Sequence, residues 1–284
     1  MTTLHTFGCS ITQGFALPDV VQPLTNSQGR ALTDDEIRQQ GIVVNWEDIH
    51  LYQPSNYAWP KVLADRLGVD LQNYARRGAC FNQIARQCAA NGSSIQQGDI
   101  VIVMWTYLSR ISLQWPARTS VPLCTVVDPS YNWRTRILPG FNKLFGLSRA
   151  QSTTNSSDRH IHAYIQDAAY TYLSPMGAYD RYYNSLVLQT MTNGFLRSTG
   201  ARVIHLSVEH DSYLDQLESA RQQLDPSLAS TYTIPDPNSW YNIDVDHNSC
   251  CVIHDPSIPP AENDMHPSVQ HHSNFADHIY KLYF

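Results

Sequence analysis

The chain has 284 residues and 42% of them are hydrophobic, which is enough apolar material for the core of an α/β domain. Its formal net charge is −6 and no long basic run occurs, so we expect no nucleic-acid partner. No stretch approaches about 18 consecutive apolar residues, so no membrane span is predicted.

The first residues lack a charged region followed by an apolar one, so a signal peptide is not predicted and a cytoplasmic protein is expected. The six cysteines show no regular spacing and no zinc-binding pattern. Reduced, buried thiols are the simplest interpretation. These residues are Cys9, Cys80, Cys88, Cys124, Cys250 and Cys251.

Short apolar runs alternate with helical patterns along the chain. The predicted strands are Leu4–Phe7, Val69–Asn73, Ile100–Trp105 and Arg202–Ser207. The predicted helices are Trp59–Leu67, Asn82–Ala90, Tyr179–Ser198 and Ser268–Leu282. This alternation predicts a three-layer α/β/α sandwich with a central parallel sheet, in which a site opens at the carboxyl ends of the strands.

Three irregular stretches interrupt this pattern at residues 18–56, 111–178 and 225–262. We interpret them as insertions within a single domain that spans residues 1–284. Long loops in a compact enzyme are often binding loops, but a merely decorated surface is an equally good interpretation.

Three sequence blocks carry the chemistry. The first, Gly8-Cys9-Ser10-Ile11-Thr12, follows the first predicted strand and presents a serine directly after a turn. The last, Asp264-Met265-His266-Pro267-Ser268, supplies an imidazole and a carboxylate. A serine, a histidine and an acid are the parts of a nucleophilic hydrolase. Between them lies a glycine-containing block, Asn73-Tyr74-Ala75-Arg76-Arg77-Gly78-Ala79.

In this order the three blocks resemble those of the SGNH (GDSL-like) hydrolases, a family of esterases and deacylases with a flavodoxin-like α/β/α fold. The resemblance implies that Ser10 is the nucleophile, His266 the base and Asp264 the acid that orients it. The commoner family spacing would put the acid at Asn263, and Cys9 stands where the family usually has Asp or Asn.

The resemblance also implies an oxyanion hole. The backbone N–H groups of Ser10 and Gly78 would be its first two donors. The family's third donor is an asparagine, which the segment 104–110 lacks. Thr106 takes that place in our prediction, with Tyr107 as another donor or a substrate contact. Arg110 and Asn82 are further predicted substrate contacts.

The predicted activity is hydrolysis of an acyl ester through an acyl-enzyme, without a cofactor. The substrate would be a small molecule or a glycan, and a carbohydrate O-acetyl group is the narrower hypothesis. Two interpretations stay open beside it: a binding or structural module that has lost catalysis, and an acyltransferase that uses the same serine. The oligomeric state is not predicted.

Histidines near the end of the chain motivate a metal-hydrolase alternative. The set comprises His254, His266, His271, His272 and His278, with Asp255, Asp264 and Asp277 nearby. No H-E-x-x-H spacing occurs, so no metal site is predicted and exposed helix histidines are the expected interpretation. A calcium loop from Asp244 to Asp255 is disfavoured because Ser249 replaces its glycine.

Overall fold

The computed structural model describes residues 2–15, 17–20, 54–76, 79–106, 110–113, 123–126, 175–208, 218–222, 232–233, 235, 243–244, 249–250, 258 and 266–284. For residues 110–113, 123–126, 175–181, 243–244 and 249–250 it describes the backbone only. The strands are β1 Thr3–Phe7, β2 Asp70–Asn73, β3 Ile100–Trp105, β4 Arg110–Leu113, β5 Leu123–Val126, β6 Arg202–Ser207, β7 Ile243–Asp244 and β8 Ser249–Cys250. The helices are α1 Ser10–Gln13, α2 Trp59–Leu67, α3 Phe81–Asn91, α4 Pro175–Ser198 and α5 Val269–Tyr283, and a 3₁₀ turn, Gly92–Ser94, follows α3.

Four parallel strands form the central sheet in the order β2-β1-β3-β6. Leu4 of β1 is in register with Leu71 of β2 on one side and with Ile100 of β3 on the other. A strand in this inner position is covered on both faces, and Leu4 and Phe7 are fully buried. The polar residues His5 and Thr6 are buried as well, so the inner position covers β1 although its sequence is not continuously apolar.

Helices pack in pairs to form the two outer layers of the sandwich. Helix α2 packs on α5, where Trp59 meets Phe275 edge to face at 5.3 Å between ring centroids. Helix α3 packs on α4, where the ring of Phe195 lies so close to Gly92 that a Cβ there would overlap it. The predicted α/β/α sandwich is therefore confirmed, and its strands and helices begin and end within a few residues of the predicted bounds.

The predicted insertions lie largely outside the described residues. Within them the structure gives two antiparallel pairs, β4 with β5 and β7 with β8. The single-domain organisation stays a prediction.

Among the described cysteines, Cys9, Cys80 and Cys88 are buried free thiols, and burial raises the pKa of Cys88 far above its ordinary value. None of the described helices combines the length and hydropathy needed to cross a bilayer.

Candidate active site

Ser10 is the first residue of α1, directly beyond the carboxyl end of β1. The turn between them is tight: a Cβ on Gly8 would overlap the Thr12 side chain and lie 3.3 Å from the carbonyl oxygen of Met104. The Thr12 hydroxyl donates to the Met104 sulfur at 3.3 Å. Glycine is thus required at position 8 because α1 folds back against the end of β3.

His266 meets Ser10 across the whole length of the chain. The Nε2 atom of His266 lies 3.0 Å from the Oγ atom of Ser10. Ser10 is only 2% exposed, whereas His266 is half-buried. With the imidazole proton on Nδ1, the hydroxyl donates to Nε2, and this is the arrangement that lets a histidine take the proton of an attacking serine.

Phe15 contacts both Ser10 and His266, although no role for it was predicted from the sequence. Its backbone N–H donates to the Ser10 carbonyl at 2.9 Å. Its ring packs edge to face on the His266 imidazole, with 5.1 Å between centroids and 67° between planes. One residue therefore binds the nucleophile's backbone and supports the ring of the predicted base.

The glycine-containing block begins beside the nucleophile's turn. The Arg76 N–H donates to the Gly8 carbonyl at 3.1 Å. The Asn73 side chain donates to the Thr12 carbonyl at 2.9 Å and accepts from the Ala75 N–H at 3.0 Å. Asn73 thereby fixes this block against α1, a bridge that its position at the end of a strand did not by itself predict.

Several predicted site residues lie outside the described part of the chain. These are the predicted acid Asp264, its alternative Asn263, the oxyanion donor Gly78 and the predicted contact Tyr107, and for Arg110 only the backbone is described. Their roles stay predictions.

Thr106 and Asn82 are described, in contrasting environments. Thr106 follows the end of β3, is fully buried, and its hydroxyl has no hydrogen-bond partner in the described structure. Its role as an oxyanion donor stays a prediction. Asn82 is exposed near the start of α3, and no described contact joins it to Ser10 or His266.

A buried network supports the end of β3. The Trp105 indole stacks on Phe81 at 5.1 Å and on His205 at 6.0 Å, and its N–H donates to His205 Nδ1 at 3.0 Å. His205 Nε2 lies 3.2 Å from the side-chain oxygen Oδ1 of Asn193. Burial, with the Arg197 charge, lowers the pKa of His205 to about 3, so the ring is neutral and its proton sits on Nε2.

The histidines of α5 correct one expectation. His271 and His272 are 2% and 0% exposed, so they are not surface groups as predicted. His271 Nδ1 caps its own helix by accepting from the Ser268 N–H at 3.2 Å, and His272 Nδ1 accepts from the Trp59 N–H at 3.1 Å. Among the residues that the structure describes, His, Cys, Asp and Glu form no cluster of three or more. His254, Asp255 and the side chains of the disfavoured calcium loop lie outside those residues.

Comparison with known proteins returns similar folds at low identity. No family model and no curated protein matches the chain. An acetyl xylan esterase from the rumen bacterium Butyrivibrio proteoclasticus is 11% identical, over 99% of this chain and 62% of its own, with a TM-score of 0.47. A family two carbohydrate esterase from Clostridium thermocellum, in complex with cellohexaose, is 10% identical. The match covers 99% of this chain and 63% of the esterase chain, with a TM-score of 0.44. A member of the lipolytic protein G-D-S-L family from Veillonella parvula is 13% identical. The match covers 100% of this chain and 98% of the lipolytic protein, with a TM-score of 0.39.

This chain therefore spans less than two thirds of the length of those two esterase structures. The three structures are two carbohydrate esterases and one G-D-S-L lipolytic protein.

Proposed function

We propose that the protein is a divergent SGNH-type serine esterase that hydrolyses an acyl ester through a covalent acyl-enzyme. The observation that carries this proposal is the 3.0 Å contact between Ser10 Oγ and His266 Nε2. A serine hydroxyl is a weak nucleophile at neutral pH, and an adjacent imidazole that takes its proton removes that obstacle.

The proposed reaction has two halves. Ser10 Oγ attacks the ester carbonyl carbon while its proton passes to His266 Nε2. The resulting tetrahedral intermediate collapses, and the proton returns from His266 to the leaving alcohol. Water then attacks the acyl-serine, giving its own proton to His266, and the carboxylic acid leaves as Ser10 regains its proton.

The remaining roles complete the proposal. Asp264 would hold His266 in the tautomer that leaves Nε2 ready to accept, with Asn263 as a weaker, uncharged substitute. The N–H groups of Ser10 and Gly78 and the hydroxyl of Thr106 would stabilise the oxyanion. The hydrogen bond from Arg76 to the Gly8 carbonyl supports this, because it holds the glycine-containing block beside the nucleophile's turn. Loss of one such donor in a comparable site costs about 3–4 kcal/mol.

For the substrate we propose a small-molecule or glycan acyl ester, and more narrowly a carbohydrate O-acetyl group. This narrower proposal comes from the family resemblance. Arg110, Tyr107 and Asn82 are the proposed substrate contacts. Acetylated xylan fragments and p-nitrophenyl acetate are therefore the first substrates to compare.

The decisive experiment compares the wild-type protein with Ser10→Ala on p-nitrophenyl acetate. We expect wild type to turn over the ester and Ser10→Ala to retain no activity above background, with an unchanged circular dichroism spectrum. Ser198→Ala is the matched control, because that serine is exposed at the far end of α4 and should keep full activity. Equal turnover by wild type and Ser10→Ala would refute the proposal.

A fluorophosphonate probe separates the hydrolase from the binding module. We expect one adduct on Ser10 in the wild-type protein and none in Ser10→Ala. A wild-type protein that is folded but takes up no probe would favour a catalytically silent module. Added alcohol that captures the acyl group in preference to water would instead identify an acyltransferase.

A further inference from the structure

A second histidine lies on the helix that follows His266, and the proposed chemistry does not use it. His272 is on the first turns of α5 and is completely buried. Its Nδ1 atom accepts the backbone N–H of Trp59 at 3.1 Å. Trp59 is the first residue of α2, so this N–H has no partner within its own helix, and His272 supplies the missing acceptor.

The ring of His272 is held in one chemical form. Because Nδ1 accepts a hydrogen bond, the proton of the neutral imidazole sits on Nε2. Burial lowers the pKa of His272 to about 3, and the nearby His271 and His266 add to the effect when they are charged. A protonated ring would carry a hydrogen on Nδ1 and lose the Trp59 bond, so the contact is kept wherever the ring is neutral.

The start of α2 is in turn fixed to the helix that carries the proposed nucleophile. The Ser55 N–H donates to the Gln13 carbonyl at 2.9 Å. A Cβ on Gly14 would lie 2.7 Å from the Cβ atoms of both Ser55 and Ala58, so the two backbones are in close contact there. A continuous set of contacts thus runs from α1 to α2, and through His272 to α5.

We propose that His272 is a positioning residue, which holds the start of α5, and with it His266, at hydrogen-bond distance from Ser10. This inference rests on the proposed esterase function. Ser10 and His266 come from distant parts of the sequence, so their 3.0 Å separation depends on how α5 seats on α2. A displacement of about 1 Å in such a pair can cost about 10²-fold in rate.

Two substitutions at position 272 separate positioning from simple core packing. His272→Asn places a carbonyl oxygen near the position of Nδ1 and keeps an acceptor for Trp59. His272→Leu fills the space but leaves the Trp59 N–H buried without an acceptor. His278→Leu is the matched control, because it removes a histidine from a later turn of the same helix.

For p-nitrophenyl acetate we expect His272→Leu to lower kcat by about 10- to 100-fold, with KM within about twofold. His272→Asn should keep kcat within about threefold of wild type, and so should His278→Leu. The rate of fluorophosphonate labelling at Ser10 should fall in parallel with kcat. A folded His272→Leu protein with wild-type kcat, or equal losses in the Leu and Asn proteins, would overturn the proposal.

A readout independent of turnover keeps this test separate from that of the esterase function. In ¹⁵N-labelled wild-type protein, the ring signals of His272 should show the Nε2–H tautomer and no titration between about pH 5 and 8. The ring signals of His266 should shift in His272→Leu and stay in place in His278→Leu. Unmoved His266 signals in the Leu protein would overturn the positioning role, whether or not the wild-type protein hydrolyses esters.

The Asn protein carries the test if the Leu protein does not fold. We expect slow hydrogen exchange at the Trp59 amide and near-wild-type kcat to occur together. A protected Trp59 amide with kcat lowered by more than about 30-fold would show that this hydrogen bond does not set the rate. That result would contradict the proposal.

Discussion

Two histidines of this molecule lie at nearly the same distance from a side-chain oxygen, at opposite ends of the sheet. Beyond the carboxyl end of β1, His266 Nε2 is 3.0 Å from the Ser10 hydroxyl. Toward the amino end, His5 Nε2 is 3.1 Å from the carboxylate of Asp99, which directly precedes β3. Distance alone does not separate them.

The surroundings of His5 and His266 distinguish the two histidines. Asp99 also accepts the N–H groups of Thr3 at 2.9 Å and Gln96 at 2.8 Å, and both His5 and Asp99 are buried. Burial alone would raise the pKa of Asp99, but the two N–H groups and His5 together lower it. This carboxylate is occupied in tying β1 to β3. The Ser10–His266 pair instead joins a hydroxyl to a half-buried ring, part of which is open to solvent.

The largest expected effect tests the pair at the carboxyl end. His266→Ala should lower kcat on p-nitrophenyl acetate by about 10⁴-fold or more, because Ser10 loses its base. The double variant Ser10→Ala/His266→Ala should be no slower than either single variant, since the two residues act as a unit. Steady-state kinetics at fixed pH make this measurement. His5→Asn is the matched variant and should keep kcat, so an equal loss there would erase the contrast between the two histidines.

An intermediate effect is expected at the amino end, on stability rather than on rate. Asp99→Asn should lower the free energy of unfolding by about 1–3 kcal/mol, because a buried acceptor and its charge are lost. Urea titration measures this loss. Asp65→Asn is the control: Asp65 is exposed in α2, and its substitution should change stability by less than about 1 kcal/mol. If Asp99→Asn kept wild-type stability but had a reduced kcat, Asp99 would act on the rate and not on stability, contrary to this prediction.

The same variant has a pH signature. Since folding lowers the pKa of Asp99, its contribution to stability is present above its ordinary pKa of about 3.9 and is lost as the pH falls through the folded value. The difference in unfolding free energy between wild type and Asp99→Asn should therefore be largest near neutral pH and should become small at acidic pH. A difference that grows on acidification would contradict this explanation.

The smallest effect concerns the aromatic neighbours of the two histidines. Phe15→Leu removes the ring that packs on His266 and should lower kcat by about 3- to 10-fold, since such ring pairs contribute about 0.5–1.5 kcal/mol. Tyr74→Leu, which removes the ring stacked on His5 and Phe7, should lower stability and leave kcat unchanged. Kinetics and urea titration on both proteins decide the matter. Matching changes in both quantities would mean that neither ring has a separate role.

The sequence was sufficient for the layers of the fold and for the central pair of the candidate site. The continuous apolar run Ile100–Trp105 predicted a central strand most clearly, because strands covered on both faces have few polar positions. The order of the sequence blocks predicted the nucleophile and base that the structure brings together, although their catalytic roles stay proposals. The prediction of the strands depends on local composition, which a single sequence displays directly, whereas the prediction of the pair depends on the family resemblance of the blocks.

Other contacts between distant segments could not be predicted in this way. The bond from Trp59 to His272 and the bridge from Asn73 to Thr12 depend on how the elements pack, and no local pattern marks them. The same limit explains the wrong expectation for His271 and His272, because a polar residue on a terminal helix is usually exposed.

The inner position of β1 has a consequence for synthesis on the ribosome. Both strands that pair with it, β2 and β3, are encoded later, so β1 leaves the ribosome without a partner until residues 70–105 have been made. During this interval its unpaired edges are open to other nascent chains, which is the usual starting point for aggregation. Translation speed and chaperone supply over that early stretch should therefore govern the yield of native protein more than events at the late helices.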